Sequence, residues 1–264
     1  MRLGSRTAKA KDGGLREVVT IFVHALIIAF IVRVFLYQPF NIPSGSMQST
    51  LLIGDYLFVS KIAYGYSRYT FPFGLNLFSG RVLASQPKRG DVIVFKLPRD
   101  NYTDYIKRLV GLPGDEIQMR NGVLFIKEAG ANQWQEVSRR PVERFAGIDE
   151  AGRPRSITRY EETLPNGVKY FVLDAEPNGP ADNTEIFKVP ANHYFMMGDN
   201  RDNSLDSRVP QKAGGVGFVP FENLVGRADI IFFSVAADDP NASLWRPWRW
   251  PLDTRWNRIG RIVR

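Results

Sequence analysis

Glu116-Ile-Gln-Met-Arg-Asn-Gly-Val-Leu-Phe-Ile-Lys127 carries two short alternations of apolar and polar residues around Asn121-Gly122. A type I′ turn needs positive φ at both central residues, which Asn and Gly tolerate, so the stretch predicts a β-hairpin. Working outward, Asp55 to Ile62, Asp91 to Leu97, Tyr170 to Leu173, His193 to Met197 and Asp229 to Val235 repeat the strand signature. Each is rich in Val, Ile or Phe and bounded by turn residues. Residues from about 127 to 190 are more polar, with loops at Glu128–Gln133 and Glu176–Asn183, and read as an inserted β subdomain. The fold class is therefore mostly β, with no fixed-period repeat.

One segment departs from this pattern. In Val18 to Tyr37, VVTIFVHALIIAFIVRVFLY, only Thr20, His24 and Arg33 are neither apolar nor aromatic. As a helix it spans roughly 30 Å, the thickness of a hydrocarbon core. No small-x-small site follows it directly, so it reads as an uncleaved single-pass anchor. Arg2, Arg6, Lys9, Lys11 and Arg16 precede it, and after Arg33 no Lys or Arg follows until Lys61. The positive-inside rule places residues 1–17 in the cytoplasm and everything after Tyr37 outside. Arg33 can snorkel to the interface, and His24 reads as a helix-packing residue. The expected organisation is a basic N-terminus (1–17), an anchor (18–37), an extracytoplasmic domain (38–240) and a Trp/Arg-rich tail (241–264).

The 264 residues carry 35 Lys+Arg against 27 Asp+Glu, a net charge of +8. Five cations precede the anchor and six arginines lie in the tail, which leaves the chain between them balanced at 24 of each sign. The basic character thus describes the two ends, and membrane placement accounts for it better than nucleic acid. With no Cys, disulfides, thiolate nucleophiles and Cys-ligated zinc are excluded; two histidines leave little for a Ser-His-Asp triad. No His-Glu-x-x-His or phosphate-binding Gly loop is present, and Gly215-Val-Gly217 fails the dinucleotide fingerprint. Asp199 to Asp206 has alternating oxygens, yet Arg201 intrudes and position twelve is Pro210, so calcium is not expected.

Two aromatic surfaces stand out. Tyr64, Tyr66, Tyr69, Phe71, Phe73 and Phe78 form a loop that either folds on the core or dips into the lipid interface. The tail holds Trp245, Trp248, Trp250 and Trp256 with six arginines, suited to lipid or translocon contact.

Pro43-Ser-Gly-Ser46 has the composition of a tight turn that presents hydroxyls, within ~30 Å of the anchor's end because only eight residues intervene between Tyr37 and Ser46. Ile42-Pro-Ser-Gly-Ser-Met-Gln-Ser-Thr-Leu51, Arg89-Gly-Asp-Val-Ile-Val-Phe95, Tyr105-Ile-Lys-Arg-Leu-Val-Gly-Leu-Pro-Gly-Asp115 and Gly198-Asp-Asn-Arg-Asp-Asn-Ser-Leu-Asp-Ser-Arg208 follow in order. Together they resemble the boxes of bacterial type I signal peptidases, or leader peptidases, over residues 18 to 235. One departure is Ser49, where the family usually has Pro; the lost ring is expected to loosen the turn after Ser46.

The resemblance implies a serine endopeptidase with Ser46 as nucleophile and Lys107 as general base. It also implies an oxyanion hole from the Ser44 hydroxyl and the Ser46 N–H, with Ser204 orienting the lysine. Asp206 with Arg208, and Asp199, would support the site. Substrates would be secretory pre-proteins cut after small-x-small sites at the outer face of the cytoplasmic membrane. Segments 40–44 and 104–107 would grip them as an added strand, with Ile42, Pro43, Met47, Leu51, Tyr105 and Ile106 as candidate lining. The lipid bilayer and the export translocon are the other partners; no cofactor, metal or nucleic acid is expected.

Chemistry sets one demand on Lys107. An ordinary lysine, pKa ~10.4, is neutral in less than about one part in a thousand at pH 7 and cannot take a proton from serine. Burial beside Tyr105, Ile106, Leu109 and Val110 must lower it; a fall to about 8 costs the fold about 3 kcal/mol. Without the resemblance, Lys107 and Arg108 read as a solvated pair at a strand end. Two other classes compete. A self-cleaving Ser-Lys repressor would be expected to carry a DNA-binding domain where this chain has its anchor, and a non-catalytic translocon component would not need Ser46.

Overall fold

The computed structural model describes residues 14–71, 79–148, 154–176, 178–237 and 247–264. Arg2, Arg6, Lys9, Lys11, Phe73, Phe78 and Trp245 lie outside the described residues. Helix α1, Leu15–Ile31, continues as a π-helical segment Val32–Leu36, and the 22 residues are long and apolar enough to cross a membrane. Their large apolar side chains are exposed except Val34, as a lipid-facing helix requires. The His24 ring pairs with the Thr20 carbonyl one turn back (2.7 Å), so it is satisfied within its own helix. Tyr37 begins a strand and is not part of the helix.

A helix leaves its last carbonyls without partners, and here the β domain supplies them. Lys61 Nζ donates to the Val34 carbonyl (3.3 Å), Tyr66 OH to that of Phe35 (2.7 Å) and the Lys61 N–H to that of Leu36 (2.9 Å). Lys61 Nζ also donates to the Thr70 carbonyl, so one buried lysine joins the anchor exit to the following turn.

The strands are β1 Tyr37–Asn41, β2 Asp55–Ser60, β3 Val92–Lys96, β4 Asp104–Gly111, β5 Glu116–Arg120, β6 Val123–Lys127 and β7 Gln135–Glu136. They continue as β8 Ser138–Ile148, β9 Pro154–Thr163, β10 Lys169–Asp174, β11 Phe187–Lys188, β12 His193–Met197, β13 Val219–Pro220 and β14 Leu224–Ser234. A seven-stranded sheet runs β1-β2-β14-β3-β4-β12-β13, with further sheets β11-β5-β6-β7 and β10-β9-β8. The β5–β6 hairpin has Asn121 and Gly122 at φ 49° and 75°, with Arg120 opposite Val123. The strand expected at 229–235 starts earlier, at Leu224, because Leu224, Val225 and Ala228 are also buried.

β8 and β9 were not marked by apolar alternation; their registration rests on charge. Arg140 pairs with Glu161 and Arg159 with Glu143 across the ladder, while Arg139 and Glu162, also opposite, pair instead with Asp174 and Arg201.

Residues 247–264 pack on the domain. Thr254 bridges Val235 and Ile262 bridges Ile230. Arg258 forms a buried ion pair with Asp55 (2.5 Å), whose other bonds come from Ser234 Oγ and the Leu52 N–H. Trp248, Trp250 and Trp256 remain exposed on this segment. Arg258→Ala would leave Asp55 charged and buried; the expected loss is about 3–5 kcal/mol in denaturant unfolding, whereas an arginine in a free tail would cost within about 0.5 kcal/mol.

Candidate active site

The sheet brings two open backbone edges together. β1 is the outermost strand, and β12 pairs with β4 only from Arg108 onward, so among the described residues 104–107 are bonded on one side alone, to β3. Between these edges lies a cleft of about 440 Å³, walled by residues 40–46 and 104–107, with Val94, Asn203 and Leu205.

After Asn41 the chain is held by reciprocal bonds: the Ile42 N–H donates to the Asp55 carbonyl and the Gly54 N–H to that of Ile42. It then enters a 3-10 turn, Gly45–Met47, that carries Ser46. Asn200 secures this turn, its N–H donating to the Ser46 carbonyl (3.1 Å) and its Nδ2 to that of Gly45 (3.0 Å). A Cβ on Gly198 would stand 2.1 Å from Ser204 Oγ and 2.6 Å from the Ser46 carbonyl oxygen, so glycine alone lets the two segments approach.

Lys107 lies opposite Ile93 in the β3–β4 ladder, is 3% exposed, and reaches across the cleft. Its Nζ donates to Ser46 Oγ (2.7 Å) and to the Ile106 carbonyl (2.9 Å), and it lies over the Tyr105 ring. Ser44 Oγ is 3.4 Å from Ser46 Oγ. Desolvation lowers the Lys107 pKa from 10.5 to about 8, against the pull of Asp206 and Asp199. Both acids are matched by arginines, which limits that pull. Asp206 accepts Nε and Nη2 of Arg208 at 2.9 Å each, plus the Gly198 N–H. Asp199 accepts Nε (2.8 Å) and Nη2 (2.7 Å) of Arg108, plus Thr50 Oγ1. Burial pushes the Asp206 carboxyl up, but Arg208 and the Gly198 N–H together hold it below the usual carboxylate value.

The solvated-pair reading of Lys107 and Arg108 is overturned. Arg108 is fully buried on the opposite side of β4, over the Tyr170 ring, where Tyr170, Glu162 and Arg201 form a second buried cluster. An uninterrupted apolar setting on both sides of Lys107-Arg108 was the available signal, since it marks a strand buried on both faces. Asn200, within the quoted 198–208 motif but assigned no role there, holds the Ser46 turn through both its backbone N–H and its side-chain amide.

Of the six expected lining residues, Ile42, Pro43, Tyr105 and Ile106 face the cleft. Met47 and Leu51 do not: both are wholly buried with Leu57, Val59 and Val94, because the turn rolls its apolar residues under Ser46. Ser204 Oγ, expected to orient the lysine, is buried and has no hydrogen-bond partner among the described residues, while Lys107 Nζ donates to the Ile106 carbonyl. Ser49 is not a looser version of proline. Gln48 (φ −58°, ψ 137°) and Ser49 (φ 104°) form a type II turn closed by the Thr50 N–H on the Met47 carbonyl. Proline, fixed near φ −65°, could not adopt the Ser49 conformation.

The family model described as signal peptidase, peptidase S26, matches residues 15–233. The signal peptidase I of Rickettsia prowazekii (strain Madrid E) is 41% identical over 221 residues, 81% of this chain and 78% of its own. The chain belongs to the S26 signal peptidase family. The signal peptidase I of Rickettsia conorii (strain ATCC VR-613 / Malish 7) is 41% identical over 238 residues, covering 87% of this chain and 81% of its own. A crystal structure of a signal peptidase I from Enterococcus faecalis V583 matches with TM-score 0.31 and 24% identity, over 54% of this chain and 97% of that one. As an S26 signal peptidase the chain is a serine endopeptidase, its family's work is signal peptide removal, and its apolar N-terminal helix is consistent with a membrane anchor.

Two consequences follow from the buried lysine. Folded Lys107 loses its proton near pH 8 and the unfolded residue near 10.5, so the unfolded chain binds more protons between those values and stability rises with pH there. Lys107→Met should gain up to about 3 kcal/mol at pH 6–7 in denaturant unfolding, a gain that shrinks toward pH 10. Asp206→Asn removes a charge that favours the ammonium and leaves Arg208 unmatched. The acid limb of the pH–rate profile should move to lower pH, with about 3–5 kcal/mol of stability lost.

Proposed function

We propose that this chain cleaves signal peptides from secretory pre-proteins by Ser-Lys acyl transfer at the outer face of the cytoplasmic membrane. The observation that carries the reading is the 2.7 Å approach of a buried, readily neutralised Lys107 to Ser46 between two open strand edges. In its neutral form Lys107 Nζ accepts the Ser46 hydroxyl proton as Oγ attacks the scissile carbonyl. The Ser44 hydroxyl and the Ser46 N–H stabilise the oxyanion. The Lys107 ammonium then protonates the leaving amine, and water activated by the regenerated amine hydrolyses the acyl-enzyme.

Substrate selection follows from strand addition. A peptide paired to 40–44 and 104–107 turns alternate side chains toward the wall, so two positions one residue apart are read together. Ile42 and Ile106 narrow the cleft, which suits small residues at both. The anchor, with its N-terminus in the cytoplasm, sets the site beside the bilayer where a signal peptide's apolar segment resides. The exposed tryptophans of the C-terminal segment suit the lipid interface, with the translocon as a further partner.

Ser46→Ala and Lys107→Ala should each lower cleavage of a purified precursor by at least about a thousandfold while the protein stays folded. For the wild type, kcat/KM should fall about tenfold per pH unit below an apparent pKa near 8. Full processing by Ser46→Ala, or rescue of export by that variant, would instead mark a non-catalytic export component.

A further inference from the structure

The cleft does not end at the strands. Phe40 and Asp104, which line its end nearest the anchor, also line a second cavity of about 1010 Å³ bounded by Phe30, Arg33 and Val34 of the anchor and by Tyr69 and Phe71. Both walls run toward the reacting groups from this cavity: β1 leaves the anchor at Tyr37, and β4 runs from Asp104 to Lys107. A peptide whose apolar segment lies in the bilayer beside the anchor must therefore approach Ser46 from the cavity side.

At about 3.3 Å per residue, Asp104 stands roughly three substrate positions before Lys107. Substrate residues from about the fifth to the eighth before the scissile bond then lie in the cavity. Its wall carries Arg33, Lys61, Arg68 and Lys96 against one acid, Asp104. Lys96 is paired with Asp104 (2.9 Å), Arg68 with Glu222 (3.1 Å), and Lys61 Nζ is committed to two carbonyls. The Arg33 guanidinium has no hydrogen bond or ion pair among the described residues.

We infer that this anchor-exit cavity is a specificity site for the substrate segment upstream of the small-x-small motif, with Arg33 as the cation that favours acidic over basic residues there. The inference rests on the peptidase reading above. Unlike the strand grip, which reads side-chain size, this site reads charge, and it does so at the membrane surface.

The test uses the full-length protein in phosphatidylcholine vesicles and three precursors that differ only in Ala, Glu or Lys at the sixth residue before the cleaved bond. The expected kcat/KM ratio of Glu to Lys is about five- to tenfold at low salt. It should fall to about twofold or less at 1 M salt, where the Debye length is about 3 Å. Arg33→Gln should cut the low-salt ratio to about twofold or less, which a merely structural role for Arg33 would not do. A wild-type ratio near one, or an equal ratio in Arg33→Gln, would overturn the inference. So would a rate for the Ala precursor that rises with phosphatidylglycerol while the Glu and Lys precursors are cut alike, because the cavity would then hold a lipid headgroup. These results leave the peptidase reading standing. Cleavage of the Ala precursor by Ser46→Ala would overturn that reading and this inference with it.

Discussion

An ammonium group removed from water loses hydration that a few hydrogen bonds do not replace, and the site is built around keeping Lys107 in that position. Its burial comes from a strand covered on both faces, and its reach to Ser46 from a turn seated on Met47 and Leu51. Desolvation lowers its proton affinity against the pull of Asp206 and Asp199. Arg208 and Arg108 meet those carboxylates in two-pronged pairs, so the lysine sees near-neutral units instead of bare acids. Two arginines that never touch the lysine thus hold the carboxylates nearest to it.

The same pairs tie distant parts of the chain to the site. Arg108 donates to Asp199, to the Gly90 carbonyl and to the Arg264 carbonyl, joining β4 to the 199–208 loop and the last residue. Arg258 does likewise between the C-terminal segment, Asp55 and the Thr50 carbonyl. Buried ion pairs of this kind add little net stability but are costly to break, which favours one arrangement of the loops. At the other end, Lys61 and Tyr66 occupy the last carbonyls of the anchor, setting the cleft at a defined place relative to the membrane segment.

Much of this was legible before any coordinates. Asn121-Gly122 marked the hairpin because only a few residues accept positive φ in succession, and VVTIFVHALIIAFIVRVFLY marked the anchor because no water-exposed helix is so uniformly apolar. Ser46 and Lys107 entered through the resemblance of four ordered motifs, not through any local property. Local reading went astray where a residue's environment comes from elsewhere in the chain. Met47 and Leu51 were placed in the cleft although the turn folds them beneath it, and Arg108 was placed in water although two sheets enclose it. Ser204, adjacent to the site, makes no hydrogen bond to the lysine.

The tail shows the same boundary from the side of charge. Composition correctly located the excess cations at the two chain ends, yet it could not tell which arginines face lipid and which face carboxylates inside the domain. By itself the sequence determined the β class and the membrane-length helix, through periodicity and length, and the family, through its ordered motifs. Only the tertiary structure decided the lysine's proton affinity, the arginines that shield it, the open edges that form the cleft and the cavity behind it. Those depend on desolvation and on contacts between residues as far as 208 positions apart, as between Thr50 and Arg258, which no local pattern encodes.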